Sequence, residues 1–374
     1  MKRLFVILAC MTFGSCAVVG GDVFLEVSNP IAARRSGEIV EVEWKSLHHA
    51  AVTDEQVVVY AEDGSQCPSQ VVFNKEGTPV SLIFQVDVPA NGKTKYRVSR
   101  EYPDKYEPKV FGRYVPERMD DYAWENNLTT YRIYGPALSD PKTQGVDVWV
   151  KSTPKLIINE WFARNDYHHN YGEGMDCYKV GNTLGGGALA VVDGDKLVLS
   201  GNYTRQECVA NGPLRTEAEF EYNQVEVAGK KVAMQRRIWL DADSRFTVQE
   251  YSFDGFDGEI QVAAGMIMHD VKALSQGENW VALSEPASDS KDPERDGDIS
   301  LAVIMEGGQG TAQIDSHAVV LRKVKAGEKV VVLSGSGWSH AGIESHDEWQ
   351  AQVEHYAARL ANPLKVEPLR RRDI

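Results

Sequence analysis

Short runs of alternating apolar and polar residues, broken by turn signals, recur along this chain and constrain its fold more than any other feature. Every second position of the segment 82–88 is apolar, which places those side chains on one face of a half-buried strand. Asp63-Gly64 is a typical hairpin dipeptide. It follows the β-branched run 56–60, and residues 71–73 are the expected return strand. Strands this short and closely spaced predict a β-sandwich.

The pattern continues to about residue 361, and a polar stretch at 99–108 interrupts it. We therefore predict a small N-terminal β-sandwich over residues 22–105 and a larger β-sandwich domain over residues 106–365. The clearest helical signal lies near the end, where Ser345 and Glu348 have the spacing of a capping box. This signal predicts a short C-terminal helix that packs on a sheet.

The first 16 residues have the pattern of a signal peptide. Lys2 and Arg3 precede a short apolar segment, 4–11, which is too short to span a bilayer. Small residues then lead to Cys16, which predicts a lipoprotein anchored through Cys16, with ordinary cleavage nearby as the alternative. We therefore expect an exported protein, either periplasmic or an outer-membrane lipoprotein.

Charge and cysteine content exclude some classes of function. The formal net charge of the 374 residues is −14. A field of this sign repels phosphate backbones, so we expect no nucleic-acid partner. Apart from Cys16, the predicted mature chain holds Cys67, Cys177 and Cys208 and contains no C-x-x-C, so a zinc ribbon or redox motif is unsupported.

The most unusual segment is 165–179, which combines two histidines, three acidic residues and three tyrosines. Gly172 and Gly174 indicate a loop, and loops held by a rigid scaffold often carry function. Six side chains here are candidate catalytic groups: His168, His169, Tyr171, Tyr178, Glu173 and Asp176.

Three chemistries compete for this segment, beside the alternative of a solvated polar loop. A histidine and a tyrosine are suitable as base and acid for eliminating a leaving group from a uronic acid. Glu173 and Asp176 are a carboxylate pair for glycoside hydrolysis. His168 or His169 together with Glu173 is a candidate metal site. We expect no cofactor, although the sequence does not exclude a bound divalent metal ion.

Two further clusters, at 113–137 and 211–217, combine aromatic rings with carboxylates and arginines, as sugar sites do. Arginine forks match a uronate carboxylate, and we predict that Arg215 holds it, with Arg132 or Arg113 as alternatives. The candidate substrate-binding residues are Arg215, Glu217, Arg113, Asp121, Trp124, Glu125, Arg132, Tyr134, Tyr167, Lys179 and His269.

Four of these segments together resemble a bacterial exported family known as domain of unknown function number 4861. They are VPERMDDYAWEN (115–126), YGPAL (134–138), DYHHNYGEGMDCYKVG (166–181) and ANGPLRT (210–216). The resemblance implies an association with polysaccharide degradation. It also implies a main domain similar to the supersandwich of aldose mutarotases and polysaccharide lyases, an analogy of fold alone.

These observations lead to one expected function and two alternatives. We expect a carbohydrate-active enzyme, a carbon–oxygen lyase or dehydratase acting on uronic-acid-containing oligosaccharides. The alternatives are a glycoside hydrolase and a glycan-binding surface lipoprotein without catalytic activity. The expected partner is an oligosaccharide or polysaccharide. We also expect a lipid anchor that attaches the protein to the membrane. The sequence does not predict the oligomeric state.

Overall fold

A computed structural model describes residues 21–369, and these residues are mainly β-structure with sandwich-like sheets and a short C-terminal helix. They divide into two compact units. The first comprises residues 21–108, 212–214 and 358–369, and the second comprises Lys109–Asn211 and Arg215–Ala357. Within 21–369, no helix has both the length and the apolar character needed to cross a membrane. The leader and Cys16 lie outside the described residues.

The first unit contains two antiparallel sheets, with strand orders β27-β1-β7-β3-β4 and β2-β6-β5. The alternating segment 82–88 is in β6, and its five apolar side chains are all buried. A 3₁₀ helix covers Trp44–Ala50. The strands are β1 (Val23–Ser28), β2 (Arg35–Glu43), β3 (Val58–Ala61), β4 (Gln66–Cys67), β5 (Ser69–Phe73), β6 (Pro79–Val88), β7 (Lys93–Ser99) and β27 (Lys365–Pro368).

The hairpin prediction around Asp63-Gly64 was right about the turn and wrong about the return strand. Gly64 has a φ of +82°, and the chain returns as β4, which pairs with β3. Residues 71–73 belong to β5 and pair instead with β6 in the other sheet. The alternation was correctly recognised, but it does not specify which strand becomes the neighbour.

The second unit contains three antiparallel sheets. Their orders are β12-β11-β10-β9-β8, then β14-β13-β20-β25-β24, and β15-β16-β18-β19-β26-β23-β22-β21 with β17 paired to β18. The strands are β8 (Val110–Val115), β9 (Asp121–Asn126), β10 (Thr129–Ile133), β11 (Asp147–Lys151), β12 (Gly174–Asp176), β13 (Gly186–Asp193), β14 (Lys196–Val198), β15 (Arg205–Asn211), β16 (Arg215–Glu221), β17 (Val225–Val227), β18 (Lys230–Asp241), β19 (Phe246–Asp254), β20 (Glu259–Ile267), β21 (Ala273–Gln276), β22 (Trp280–Pro286), β23 (Asp298–Met305), β24 (Thr311–Ile314), β25 (His317–Lys325) and β26 (Lys329–Trp338). A second 3₁₀ helix covers Pro116–Arg118.

Two α-helices complete the part of the chain that the structure describes. Helix α2 (His346–Ala361) is the predicted C-terminal helix, and Ser345 Oγ accepts the backbone N–H of Glu348 as the capping signal requires. Its Trp349 is buried and stacks on Phe246 of β19, so the helix packs on a sheet as expected.

Helix α1 (Ile158–Arg164) was not predicted, because its apolar residues were interpreted as the end of a strand-like run. Ile158, Trp161 and Phe162 are buried at helical spacing, and this periodicity was the signal that could have revealed the helix.

Candidate functional site

The two faces of the sheet β12-β11-β10-β9-β8 differ sharply in polarity. One face, which includes Trp124, Tyr131 and Val148, joins the main apolar core of the second unit. The residues that alternate with them on β10 and β11, Arg132 and Asp147, are charged and also buried. Alternation along each strand thus places a charged cluster on the face opposite the main core.

Arg132 lies at the centre of this charged cluster and contacts three aspartates. Its Nη2 is 2.6 Å from Asp147 Oδ2 and 3.0 Å from Asp176 Oδ2, and its Nε is 3.8 Å from Asp121 Oδ2. Sheet register explains the contacts, because Arg132 is directly opposite Asp147. Asp176 is opposite Trp149, two residues along β11 from Asp147.

The cluster carries more negative than positive charge in a buried setting. Burial raises the pKa of Asp121 to about 6, against the lowering effect of Arg132. Burial also raises the pKa of Asp176 well above its ordinary value, and the charge of Asp147 adds to this. One guanidinium therefore does not fully compensate the desolvation of its acidic neighbours.

Gly174 allows β12 to approach β11 closely enough to complete the cluster. Its φ is +127°, and a Cβ at this position would lie 2.0 Å from the carbonyl oxygen of Val150. A side chain at position 174 would therefore push β12 away and move Asp176 from Arg132.

His168 lies at the solvent-facing edge of the cluster. Its side chain is 39% exposed, and its Nε2 is 3.7 Å from Asp176 Oδ2. Its Nδ1 is 3.7 Å from Asp289 Oδ2 and 3.2 Å from the backbone oxygen of Asp176. The imidazole is thus held between two carboxylates that come from distant parts of the chain.

Two loops, 165–173 and 287–297, hold each other in place around His168. The backbone N–H of Lys291 donates to the carbonyl of His168 at 3.0 Å, and Lys291 Nζ pairs with Asp166 at 2.5 Å. Asn170 Nδ2 donates to Asp296 Oδ1 at 2.9 Å. These contacts tie the histidine- and tyrosine-rich loop to a second loop that brings Asp289.

The exposed part of loop 165–173 carries an imidazole and a phenol in contact. The rings of His169 and Tyr171 are 4.5 Å apart between centroids and nearly perpendicular, and Tyr171 is 53% exposed. The Tyr171 hydroxyl donates to Asp166 Oδ2 at 3.0 Å. This hydrogen bond raises the pKa of Tyr171, so the phenol stays protonated.

The other catalytic candidates have structural partners. The hydroxyl of buried Tyr178 donates to the carbonyl of Ile267 at 2.8 Å, and burial raises its pKa well above the ordinary value. Glu173 pairs with Lys155 at 2.5 Å on the surface, whereas Asp176 is buried against Arg132. The carboxylates considered for hydrolysis therefore occupy different environments.

The three arginines considered as carboxylate clamps each hold a carboxylate of the protein. Arg215 donates two hydrogen bonds to the carboxylate of Asp241, of 2.6 and 2.9 Å. Arg113 pairs with Glu117 at 2.5 Å. Arg132 likewise contacts buried aspartates. To bind a substrate carboxylate, each of the three arginines would therefore have to release a carboxylate of the protein.

Several predicted binding residues lie inside the protein. Trp124 stacks on Tyr131 and donates its indole N–H to Thr247 at 3.0 Å. Tyr167 stacks on Trp149 at 5.0 Å. Glu217 accepts a 2.7 Å hydrogen bond from Arg237.

Three more candidates surround the charged cluster or lie further along the second unit. The ring of half-buried Tyr134 lies beneath the Arg132 guanidinium at 5.1 Å, and Lys179 is exposed. His269 is bound through Nδ1 to Glu285 at 2.7 Å, and this hydrogen bond raises its pKa. The functional roles of all these residues stay predictions.

Sequence reasoning missed Asp147 and Asp289. Asp147 begins a largely apolar strand, and a carboxylate at that position was the available signal, whereas its register with Arg132 is seen only in the structure. Asp289 belongs to a charged segment interpreted as a surface loop. Nothing in the sequence pattern indicated that its N–H would bind the carbonyl of Cys177, beside the cluster.

Comparison with solved structures identifies chains of the same fold. One is the crystal structure of an alpha-mannosidase from Enterococcus faecalis V583, with a TM-score of 0.53, 9% identity, and coverage of 94% of this chain and 46% of that chain. Another is a protein in the glycosyl hydrolase family 38 from Enterococcus faecalis, with a TM-score of 0.52, 9% identity, and coverage of 94% and 48%. The chain spans about half the length of these structures, and the likeness is one of fold.

Comparison of sequences gives a relative of matching length. Protein P7 of Formosa agariphila, named as an uncharacterized protein, is 27% identical over 397 residues, covering 97% of this chain and 98% of the relative. Residues 27–366 match the family model described as "Domain of unknown function (DUF4861)". The family resemblance seen in the sequence is confirmed: the chain belongs to the DUF4861 family.

Proposed function

We propose that this protein is a carbohydrate-active enzyme, a carbon–oxygen lyase or dehydratase that acts on uronic-acid-containing oligosaccharides. Its β-sandwich fold, shared with structures of a glycoside hydrolase family, supports the carbohydrate part of the proposal. The contact between exposed His169 and Tyr171 carries the chemical part. The reaction centre in this proposal is the surface formed by loops 165–173 and 287–297.

The two side chains have complementary capacities for proton transfer. An imidazole can accept a proton near neutral pH, and a phenol whose pKa is raised by Asp166 keeps a proton to donate. Both are exposed, so a sugar ring can approach them from solvent.

The proposed step is an elimination across two adjacent ring carbons. His169 takes the proton from the carbon next to the carboxylate, and the electrons of that C–H bond form the new C=C bond. The C–O bond at the adjacent carbon breaks, and Tyr171 gives its proton to the leaving oxygen. The leaving group is a sugar in a lyase and water in a dehydratase.

The intermediate of such an elimination is enolate-like and needs a positive charge or hydrogen-bond donors near the substrate carboxylate. The three candidate arginines already hold carboxylates of the protein, but exposed Lys179 lies close enough to Asp289 for its charge to lower the pKa of that carboxyl, which burial otherwise raises. We assign Lys179 to attract the uronate.

The test is turnover of a panel of uronate-containing oligosaccharides, followed by the ultraviolet absorbance of the unsaturated product. Loss of a general acid or base lowers rates by about 10²–10⁴-fold, so His169→Ala and Tyr171→Phe should each lower kcat by about 100-fold or more. The control is His48→Ala, an exposed histidine of the first unit, which should leave kcat unchanged. A dehydratase that acts on an already unsaturated end of an oligosaccharide would instead lower the ultraviolet absorbance.

Three outcomes would contradict the proposal. Unchanged turnover in both variants would exclude His169 and Tyr171. New reducing ends without an absorbance change would show hydrolysis. Binding in calorimetry with intact glycan after long incubation would show a binding protein.

We further propose that the protein is exported and anchored through lipid on Cys16, because the leader has the required pattern. The mass of the protein purified from membranes should equal that of the chain from Cys16 plus acyl groups. A Cys16→Ala variant should lose the lipid, and an intact leader on the mature protein would refute the idea.

A further inference from the structure

Three side chains with metal-binding atoms converge at the edge of the charged cluster. One ligand atom from each of His168, Asp176 and Asp289 lies within 4.8 Å of the others. Nε2 of His168 is 3.7 Å from Asp176 Oδ2, and Nδ1 of the same ring is 3.7 Å from Asp289 Oδ2. Bonds of about 2.0–2.2 Å to a tetrahedral zinc ion would place ligand atoms about 3.4 Å apart, so Asp176 is already near this spacing from Nε2, and the half-exposed Asp289 side chain would turn towards Nε2 to complete it.

The hydrogen bonding of His168 leaves its Nε2 atom oriented for a metal ion. Its Nδ1 lies 3.2 Å from the carbonyl oxygen of Asp176, an acceptor that requires Nδ1 to carry the proton. In the neutral ring, Nε2 then presents its lone pair towards Asp176 Oδ2. Metal-bound histidines commonly donate their other N–H to a backbone carbonyl in this way. A lone pair facing a carboxylate is unfavourable unless a metal ion or a proton lies between them.

Unpaired oxygens nearby provide a second and independent observation. Asp176 is 1% exposed and Asp147 is fully buried. Among residues 21–369, Oδ1 of Asp176 and Oδ1 of Asp147 find no hydrogen-bond partner. Three aspartates surround Arg132, and buried carboxylates need compensation. The cluster therefore has carboxylate oxygens near His168 whose lone pairs are available to a ligand.

We propose that His168, Asp176 and Asp289 bind one divalent transition-metal ion, of which zinc or manganese is the expected type. One imidazole nitrogen and two carboxylates form a donor set that suits zinc, with a fourth position open. Calcium prefers six to eight oxygen ligands and should bind more weakly. Asp289 comes from a different loop, so the metal would also fix loop 287–297 against loop 165–173.

The metal gives the proposed reaction the positive charge that its intermediate requires. The open coordination position faces solvent, because His168 and Asp289 are 39% and 38% exposed. A uronate carboxylate can occupy that position, and the ion would then stabilise the enolate-like intermediate. This assignment of the substrate carboxylate rests on the proposed function, whereas metal binding does not.

The test is calorimetric titration of the chelator-treated full chain with zinc chloride, manganese chloride and calcium chloride, in the absence of glycan. We expect one zinc or manganese ion per chain and weaker binding of calcium. His168→Ala and Asp289→Asn should each lower zinc affinity at least about tenfold. Asp292→Asn in the same loop, whose side chain pairs with Arg295, is the matched control and should bind as the intact chain does.

Both test variants change side chains that are more than one third exposed, and circular dichroism checks that they fold. Failure of the intact chain to bind zinc or manganese would overturn the proposal. Equal zinc affinity in His168→Ala, Asp289→Asn and the control would also overturn it, and would leave His168 as an imidazolium held between two carboxylates.

Turnover after chelation separates the metal site from the proposed function. If chelation abolishes turnover and zinc or manganese restores it, the assignment of the carboxylate is supported. If zinc binds but the chelated protein turns over substrate equally well, the metal site is supported, and the proposed role of the metal in binding the substrate carboxylate is contradicted. If zinc binds and no uronate is converted, the metal proposal stands and the proposed function fails.

Discussion

Two charged clusters lie on the same face of the sheet β12-β11-β10-β9-β8. They differ in how completely their charges and hydrogen-bonding atoms are paired. In the first, Glu125 Oε2 accepts Lys151 Nζ at 2.8 Å and the N–H of Ile157 at 2.9 Å. Its Oε1 accepts the N–H of Ile158 at 2.9 Å. This pair balances charge, satisfies both oxygens and binds two N–H groups at the beginning of helix α1.

The second cluster, around Arg132, has three carboxylates for one guanidinium and leaves oxygens unpaired within the described chain. Glu125 and Lys151 are fully buried, whereas the second cluster continues to half-exposed His168. A balanced, closed cluster stabilises the fold. An unbalanced cluster that opens to solvent through a histidine is suited to binding a ligand.

The largest effect is expected in the balanced cluster. Glu125→Gln removes the carboxylate that pairs with Lys151 and leaves a buried ammonium uncompensated, which costs about 3–5 kcal/mol. Urea unfolding of the variant measures this loss. The control is Glu160→Gln, which breaks an exposed pair with Arg164 and should cost at most about 1 kcal/mol. Equal losses in the two variants would contradict the distinction.

An intermediate effect is expected from Asp121, and it depends on pH. Because its folded pKa is about 6 and its unfolded pKa is about 3.9, the folded state binds the proton more tightly. The stabilisation is therefore complete below about pH 4 and is lost as the pH rises through about 6.

Asp121→Asn has no such loss, because an amide does not ionise. Relative to the unchanged protein, this variant should gain about 1–3 kcal/mol between about pH 4 and about pH 7, since each unit of pKa shift is worth about 1.4 kcal/mol. Urea midpoints at the two pH values measure the gain. A difference between the proteins that does not change with pH would show that Asp121 titrates normally.

The smallest effect is expected from Asp147→Asn in the unbalanced cluster. The amide oxygen can still accept the Trp149 indole N–H, which donates to Asp147 Oδ2 at 2.8 Å. The charge of Asp147 raises the pKa of Asp121 and Asp176, so its removal lets these two carboxyls ionise more readily beside Arg132. The free energy of unfolding of the metal-free protein should therefore change by less than about 1 kcal/mol. A loss as large as that in Glu125→Gln would show that the Arg132 cluster is also structurally balanced.

The local sequence determined much of the fold. Alternation identified a strand such as β6, because side chains on successive strand residues point to opposite faces. The capping signal at Ser345 located helix α2, and the glycine-containing, histidine- and tyrosine-rich segment was recognised as the candidate site. The family followed from four long motifs.

Only the tertiary structure decided which residues share the site. Alternation says which face a side chain occupies, but it does not say which strand lies beside it. It therefore could not place Asp147 opposite Arg132, and local pattern does not bring Asp289 to His168 across a large separation in sequence. The arginine at 215 was chosen for its chemistry, and the structure pairs it with Asp241 because β16 and β18 are neighbours in register.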